Sequence, residues 1–205
     1  MTFAEAHERL DVIIDKHDLP WFEPEEKDIF LNFAQQEFVN QRYSEFEVNE
    51  KRRQDIRTLI TTALGGNSST IAVPSDMLFV LSLKGNFNVT DCNRTILRET
   101  YIRPMQHDDV NKITYDPFNS PTNSSPVYVT NATSFSIKSD STPTSTELTY
   151  IKEPSVVNGT TNPSGVFETP DYTHNEIVNI AVRKMLGSIE QQNYNLQVNE
   201  IENQE

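Results

Sequence analysis

The stretch Glu23-Pro24-Glu25-Glu26-Lys27-Asp28-Ile29-Phe30-Leu31-Asn32-Phe33-Ala34-Gln35-Gln36-Glu37-Phe38-Val39-Asn40 decides how the chain is organised, together with its resumption after Tyr43-Ser44 through Arg57-Thr58-Leu59-Ile60 to Ala63-Leu64. Pro24 suits a first helical turn, where the N–H it lacks would have no partner anyway. Glu25, Glu26 and Asp28 lie against the positive end of the helix dipole. Phe30, Phe33, Ala34 and Phe38 recur at three- and four-residue steps and form one apolar stripe. Gly65-Gly66 closes the second run with residues that tolerate positive φ. These features predict two antiparallel helices whose Phe-rich stripe must be buried, an architectural element with no chemistry in it.

On the N-terminal side, Thr2 and Glu5 form a capping box, and Phe3, Ala6, Leu10, Ile13, Ile14 and His17 keep helical spacing over residues 2–17. His17 reads as a packed or solvated histidine, because a metal ligand needs partners at defined spacing. Trp21 and Phe22 precede the next helix and are placed to staple its start. The third helix carries Lys51, Arg52, Arg53 and, one turn on, Arg57. Glu45, Glu47, Glu50 and Asp55 largely cancel that charge, so a salt-bridged helix face ranks above phosphate contact. A subunit interface through Lys51, Arg52, Arg53 and Arg57 is the third reading.

Past Gly66 the texture changes. Ile71-Ala72-Val73-Pro74 leads into Met77–Leu83, a strongly apolar strand candidate, with Thr95–Arg103 as an antiparallel mate that Pro104 stops. Residues 105–126 read as mostly irregular, with turn signals at Asp116-Pro117 and Ser120-Pro121. Val127–Val129, Ser134–Lys138 and Thr146–Ile151 alternate as half-buried strands, and residues 155–170 form a loop around Asn158-Gly159 and Pro163. Thr173 and Glu176 suggest a second capping box ahead of a stripe of Ile177, Ile180, Ala181, Met185 and Ile189. The expected fold is therefore α+β. Three N-terminal helices within residues 1–66 pack with a C-terminal helix over 171–192, around a long antiparallel β insertion at 67–170, and a polar tail follows at 193–205. Tyr194, Val198 and Ile201 keep helical spacing on that tail and are candidate partner-docking residues; a frayed end is the plainer alternative.

Composition narrows the function classes. Thirty acidic residues against 17 basic ones give a formal charge of −13, which argues against nucleic-acid binding through a basic patch. It suits a solvated surface, or the wall of a passage along which DNA slides without sticking. The single cysteine, Cys92, allows no intrachain disulfide. The start Met1-Thr2-Phe3-Ala4-Glu5 has no basic and apolar leader, and no stretch approaches the ~18 apolar residues of a membrane span, so a protein made in a reducing cytoplasm is expected.

The chain lacks phosphate-loop, dinucleotide, zinc-protease and nucleophile-elbow motifs. His7, His17, His107 and His174 are far apart in sequence. His107-Asp108-Asp109 is the best metal-like cluster, but three adjacent loop residues cannot easily converge on one ion. No catalytic residue, metal site or cofactor is expected. The N-x-[ST] sequons at Asn67, Asn88, Asn93, Asn123, Asn131 and Asn158 follow from an Asn/Ser/Thr-rich composition more simply than from glycosylation.

Three stretches carry a resemblance to a known family. They are Ile29–Val39 with Phe46 and Arg53–Ile60; Val73-Pro74-Ser75-Asp76-Met77-Leu78-Phe79; and Tyr150-Ile151-Lys152-Glu153-Pro154 followed by Glu176–Val182. In their order and spacing they resemble the head-to-tail adaptor (connector) ring proteins of short-tailed DNA phages, most of all the ring proteins of crAss-like phages. That resemblance implies a structural virion protein, made in the host cytoplasm. It would form a homo-oligomeric ring, commonly of twelve subunits, stacked below the portal with other tail ring proteins. Genomic DNA would pass through its lumen without sequence-specific binding, and no membrane is involved. The family brings no catalytic residues. The competing class is a carbohydrate- or protein-binding β-sandwich module, for which Tyr101, Tyr115, Phe118, Tyr128 and Phe135 would supply an aromatic face. An acid–base hydrolase has only generic carboxylates behind it.

Overall fold

Capping chemistry sets the helix starts. The backbone N–H of Thr2 donates to Glu5 (2.9 Å) and that of Glu5 to the Thr2 hydroxyl (3.2 Å), which fixes the first turn of α1 (Phe3–Asp15). At α2 (Pro24–Ser44) the Glu23 N–H donates to Glu26 (2.9 Å), with Pro24 at the first helical position. Phe22 packs edge-on against Phe30, with ring centroids 5.7 Å apart. The computed structural model describes residues 1–15, 22–46, 49–91, 94–116 and 118–202, with side-chain surroundings in the last helix given as far as Ile189. The remaining elements are α3 (Glu50–Asp55), β1 (Ile60–Gly65), β2 (Thr70–Ala72), β3 (Met77–Asp91), β4 (Arg94–Tyr101), β5 (Arg103–Pro104), α4 (His107–Thr114), β6 (Val127–Thr130), β7 (Ser134–Lys138), β8 (Ser145–Lys152) and α5 (His174–Glu202). The fold is α+β. It divides into a helical unit, Met1–Leu59 with Pro154–Glu205, and a β unit, Ile60–Glu153.

In the helical unit Phe3, Ala6, Leu10 and Ile14 of α1 are buried, as are Leu31, Ala34, Phe38 and Val39 of α2 and Ile177, Ile180, Ala181 and Met185 of α5. The apolar stripe expected on α2 is turned relative to this core. Phe33 is 57 % exposed and Ile29 53 %, while Asp28, Gln35 and Arg42 are buried. These three recur every seven residues, two helical turns, and so share one face. The periodicity of Phe suggested a purely apolar face; instead the inward side of α2 mixes Leu, Ala, Phe and Val with hydrogen-bonding groups.

Each of these polar side chains has at least one specific partner. The Gln35 amide donates to the Ser155 carbonyl (2.9 Å). Asn32 donates to the Val157 carbonyl (2.9 Å) and accepts from the Val157 N–H (2.7 Å). Lys27 meets Asp11 of α1 at 2.5 Å. These bonds satisfy backbone groups of a segment that has no regular secondary structure of its own. Arg42, only 2 % exposed, pairs with Asp55 (2.9 Å) at the end of α3 and with Glu176 (2.5 Å) in the first turn of α5, and lies over the Phe38 ring at 4.6 Å. It therefore ties three helices together. Tyr172 also donates to Asp55; burial, with that hydrogen bond, pushes its phenol up from the ordinary value. Glu176 is consequently not the partner of a capping box. The Thr173 hydroxyl donates instead to the Pro170 carbonyl (2.7 Å), closing a short 3-10 turn at Asp171–Thr173.

The second long helix expected up to Leu64 is not formed. Helix α3 ends at Asp55, a 3-10 turn covers Arg57–Leu59, and Ile60–Gly65 is strand β1. The β-branched run Ile60-Thr61-Thr62 favours the strand, and β1 pairs along its whole length with β8, Ile60 opposite Ile151 through Gly65 opposite Thr146. Residues 107–114, expected to be irregular, form α4.

The β unit contains two four-stranded sheets, ordered β1-β8-β3-β4 and β2-β7-β6-β5. Every pairing in the first is antiparallel; β5 and β6 pair parallel in the second. Ile71, Leu83, Phe87, Ile102, Tyr128, Phe135, Ile137, Leu148 and Tyr150 make their common core, with Tyr128 edge-on to Phe135 at 5.5 Å. Strand β3 runs 15 residues and is bulged near Met77 and Val80; at its other end it outruns β8, which begins at Ser145 opposite Asn86, and continues as a hairpin with β4 alone.

Breaking the Arg42 node leaves the buried Asp55 carboxylate without its guanidinium, while Glu176 is half-exposed. Arg42→Ala is expected to lower the unfolding free energy by about 3–5 kcal/mol, the range for removing one partner of a buried ion pair. Arg42→Lys should recover only part of this, since one ammonium cannot reproduce the guanidinium fork. Denaturant titration checks both; a loss below ~1 kcal/mol, as for an exposed pair, would show the node to be dispensable.

Candidate functional site

The arrangement that most resembles a reactive centre lies in the helical unit. The His7 Nε2–H of α1 donates to Asp28 Oδ1 of α2 at 2.9 Å. The same oxygen accepts the Gly159 N–H at 2.7 Å. Asp28 Oδ2 accepts the Thr160 hydroxyl at 2.7 Å and the Thr160 N–H at 3.2 Å. A threonine, a histidine and a buried aspartate thus meet, the residue types of a nucleophilic triad.

Their connectivity rules that chemistry out. In a triad the imidazole stands between hydroxyl and carboxylate and takes the hydroxyl proton. Here the hydroxyl gives its hydrogen bond to the carboxylate directly, and four donors fill the lone-pair positions of Asp28. Nor is there room for a substrate. A β-carbon at Gly159 would lie 2.7 Å from His7 Cε1 and 3.2 Å from Asp28 Oδ1, so the backbone is already in contact with both. Burial works against the Asp28 charge, but the Thr160 side chain, the Gly159 and Thr160 amides and His7 outweigh it and hold the carboxyl below its ordinary value. The arrangement is a clamp that fixes the Asn158–Thr160 turn onto α1 and α2. Nothing in the sequence signalled it, because its members lie in three separate segments and match no spacing motif.

Elsewhere the titratable groups are structural. His174 is buried, and its Nε2–H donates to the Thr169 carbonyl at 2.7 Å. Burial pushes the imidazole down, against the raising effect of the Thr169 hydrogen bond, and so favours its neutral form. His107 opens α4 and meets the Thr130 carbonyl at 2.7 Å, while Asp109 pairs with Lys112 at 3.2 Å. Among the described residues no group of three or more His, Cys, Asp or Glu side chains is placed to hold a metal ion. No helix in them is long and apolar enough to cross a membrane. His17, Trp21 and Cys92 lie outside the described residues.

Two members of the basic cluster on α3 are engaged within their own chain. Arg52 pairs with Glu45 at 2.8 Å, and Arg53 pairs with Glu50 at 3.2 Å while lying over the Phe46 ring at 5.0 Å. Lys51 and Arg57 are exposed. Tyr194, Val198 and Ile201 belong to the far end of α5, and their side-chain surroundings lie outside the described residues. The aromatic face that a glycan-binding module would need is not assembled. Tyr128 and Phe135 are in the core, and only Tyr101, Tyr115 and Phe118 are exposed. What the surface does offer is exposed apolar side chains suited to contact: Ile29 and Phe33 one turn apart on α2, and Leu64, Ile96, Leu97 and Tyr101 on the strands β1 and β4.

The family model described as SU10 adaptor protein matches residues 1–204, and the chain belongs to that family. Comparison with curated proteins finds no match.

The clamp has a pH signature. The Asp28 carboxyl is depressed in the folded state relative to 3.8, so its contribution to stability is complete above that pH and is lost as the pH falls through the lower folded value. Asp28→Asn is expected to cost about 1–3 kcal/mol near neutrality, because the amide cannot accept from all four donors. It should also flatten the acid limb of the stability–pH curve. Urea titrations at several acidic pH values check both; an unchanged acid limb would remove Asp28 as its source.

Proposed function

We propose that the chain is a structural subunit of a phage head-to-tail adaptor, forming a closed ring beneath the portal through whose lumen genomic DNA passes. The observation that carries this reading is the family match over residues 1–204, which spans both units and not just one module. Twelve subunits is the proposed ring size, and the ring proteins of crAss-like phages are the proposed nearest kin, on the order and spacing of the three sequence stretches described above. The role is architectural, and the virion is its site.

Physical features support the proposal. A ring needs heterologous contacts that close on themselves. A helical unit locked by the Arg42 node and the Asp28 clamp holds its shape while such contacts form. Lys51 and Arg57, exposed on a chain of net charge −13, are complementary to the acidic surface of a neighbouring copy, and Arg52 and Arg53 flank them at that interface. An acidic lumen repels phosphate and lets DNA slide. The end of α5, with Tyr194, Val198 and Ile201, is the proposed docking element for the portal or an adjoining ring of the tail.

Native mass spectrometry with negative-stain imaging, on the purified chain with and without the matching portal, tests the proposal. Closed rings, alone or on the portal, are expected. A chain that ignores the portal and never closes would overturn the adaptor reading.

A further inference from the structure

The sheet β1-β8-β3-β4 ends in two open edges. Among the described residues β1 pairs only with β8 and β4 only with β3, and no other backbone group bonds to the outer side of either strand. An open edge is a template for another strand, and proteins that must stay single guard it with lysine, proline or a bulge. Strand β1, Ile-Thr-Thr-Ala-Leu-Gly, has no charge and no proline, and it pairs with β8 without a break in register. Strand β4 carries Arg94, Arg98 and Glu99 but no lysine, proline or bulge; it is exposed at nearly every position and shows Ile96, Leu97 and Tyr101 on its surface.

The register links the two edges. Leu64 lies opposite Glu147, Glu147 opposite Lys84, and Lys84 opposite Tyr101. Directly opposed residues point to the same face, so Leu64, Glu147, Lys84 and Tyr101 form one row across the sheet. The Lys84–Glu99 ion pair at 2.9 Å lies on that face. Charges sit mid-row, and the two ends are apolar and open, Leu64 at 81 % exposure and Tyr101 at 50 %. Each end lacks the neighbour that the other would supply.

We propose that β4 of one copy pairs with β1 of the next, so that this sheet continues head to tail through successive copies of the chain. Strand direction permits it. All three pairings are antiparallel, so in a sheet of four strands β4 runs opposite to β1. A second copy set beside the first with its strands aligned therefore presents β1 antiparallel to β4, and the alternation is unbroken. Tyr101 and Leu97 then find Leu64 of the next copy on their own face. A two-fold pairing of β1 with β1, or of β4 with β4, would leave the other edge of each copy open; head-to-tail pairing covers both. Such a contact is heterologous and can close into a ring. Closure rests on the adaptor reading, whereas the pairing itself needs only the sheet.

Amide hydrogen exchange on the full chain, followed from micromolar to millimolar concentration, tests the pairing. Exchange at both β1 (60–65) and β4 (94–101) is expected to slow at least about tenfold as copies associate. The double substitution Thr62→Lys and Leu64→Lys guards β1 alone and should weaken association at least about tenfold, with circular dichroism showing the fold retained. A chain that stays monomeric to millimolar concentration overturns the pairing. So does slowing at only one of the two strands, or association at wild-type strength in the guarded variant. Association with both strands still exchanging freely overturns the pairing as well, but leaves the adaptor reading to the portal experiment.

Discussion

A charged side chain removed from water must find its partners inside the protein, and the inward face of α2 makes this the organising constraint of the helical unit. Asp28 and Arg42 are both buried there, with Gln35 between them. Each demand is met by a different part of the chain. Asp28 holds the turn at Gly159 and Thr160, Asn32 and Gln35 hold the segment from Ser155 to Val157, and Arg42 joins the end of α3 to the start of α5. A purely apolar face would tolerate small slips of its neighbours. Directional bonds at fixed positions do not, so the irregular segment returning from the β unit can seat on α2 in only one register.

The β unit solves a different problem. Two sheets share one core, and among the described residues the first of them has no partner strand on the outer side of β1 or β4. The contrast fits a component whose body must be rigid and whose contacts are made with other chains. The Thr–His–Asp meeting point belongs to the rigid body. Its composition suggests reactivity, but the Thr160 hydroxyl bonds to the carboxylate and the Gly159 backbone lies against both His7 and Asp28. Side-chain type alone would have misled; the direction of one hydrogen bond separates a clamp from a catalytic centre.

Much of the fold was legible because local signals agreed with tertiary demand. The Thr2–Glu5 box, Pro24 at the start of α2, the stripe of α5 and the alternating strands from Val127 to Ile151 all lie where pattern and capping place them. The rest depended on distant partners. Ile60–Leu64 is consistent with a helix end by spacing, and it became a strand because β8, more than 80 residues later in the chain, offered a ladder. Phe33 keeps helical spacing with Phe30, but the buried face was set by partners for Asp28 and Arg42 that no local window contains. Residues 107–114 make barely two helical turns and carry only Val110 and Ile113 as apolar positions, a run too short for its spacing to stand out beside the turn signals that follow. The ion pairs of Arg52 and Arg53 were recognisable, since Glu45 and Glu50 stand close in sequence. The clamp and the two unpaired sheet edges were invisible, because both are defined by three-dimensional neighbours.

These features describe a subunit with a keyed helical body and a sheet that can be extended, in a chain of the SU10 adaptor protein family. The most direct test is a cryo-electron microscopy reconstruction of the neck of the assembled particle. A closed ring of this chain between portal and tail is expected, with the Arg42 and Asp28 contacts intact in every copy. Finding it elsewhere in the particle, or as isolated copies that do not touch one another, would contradict it.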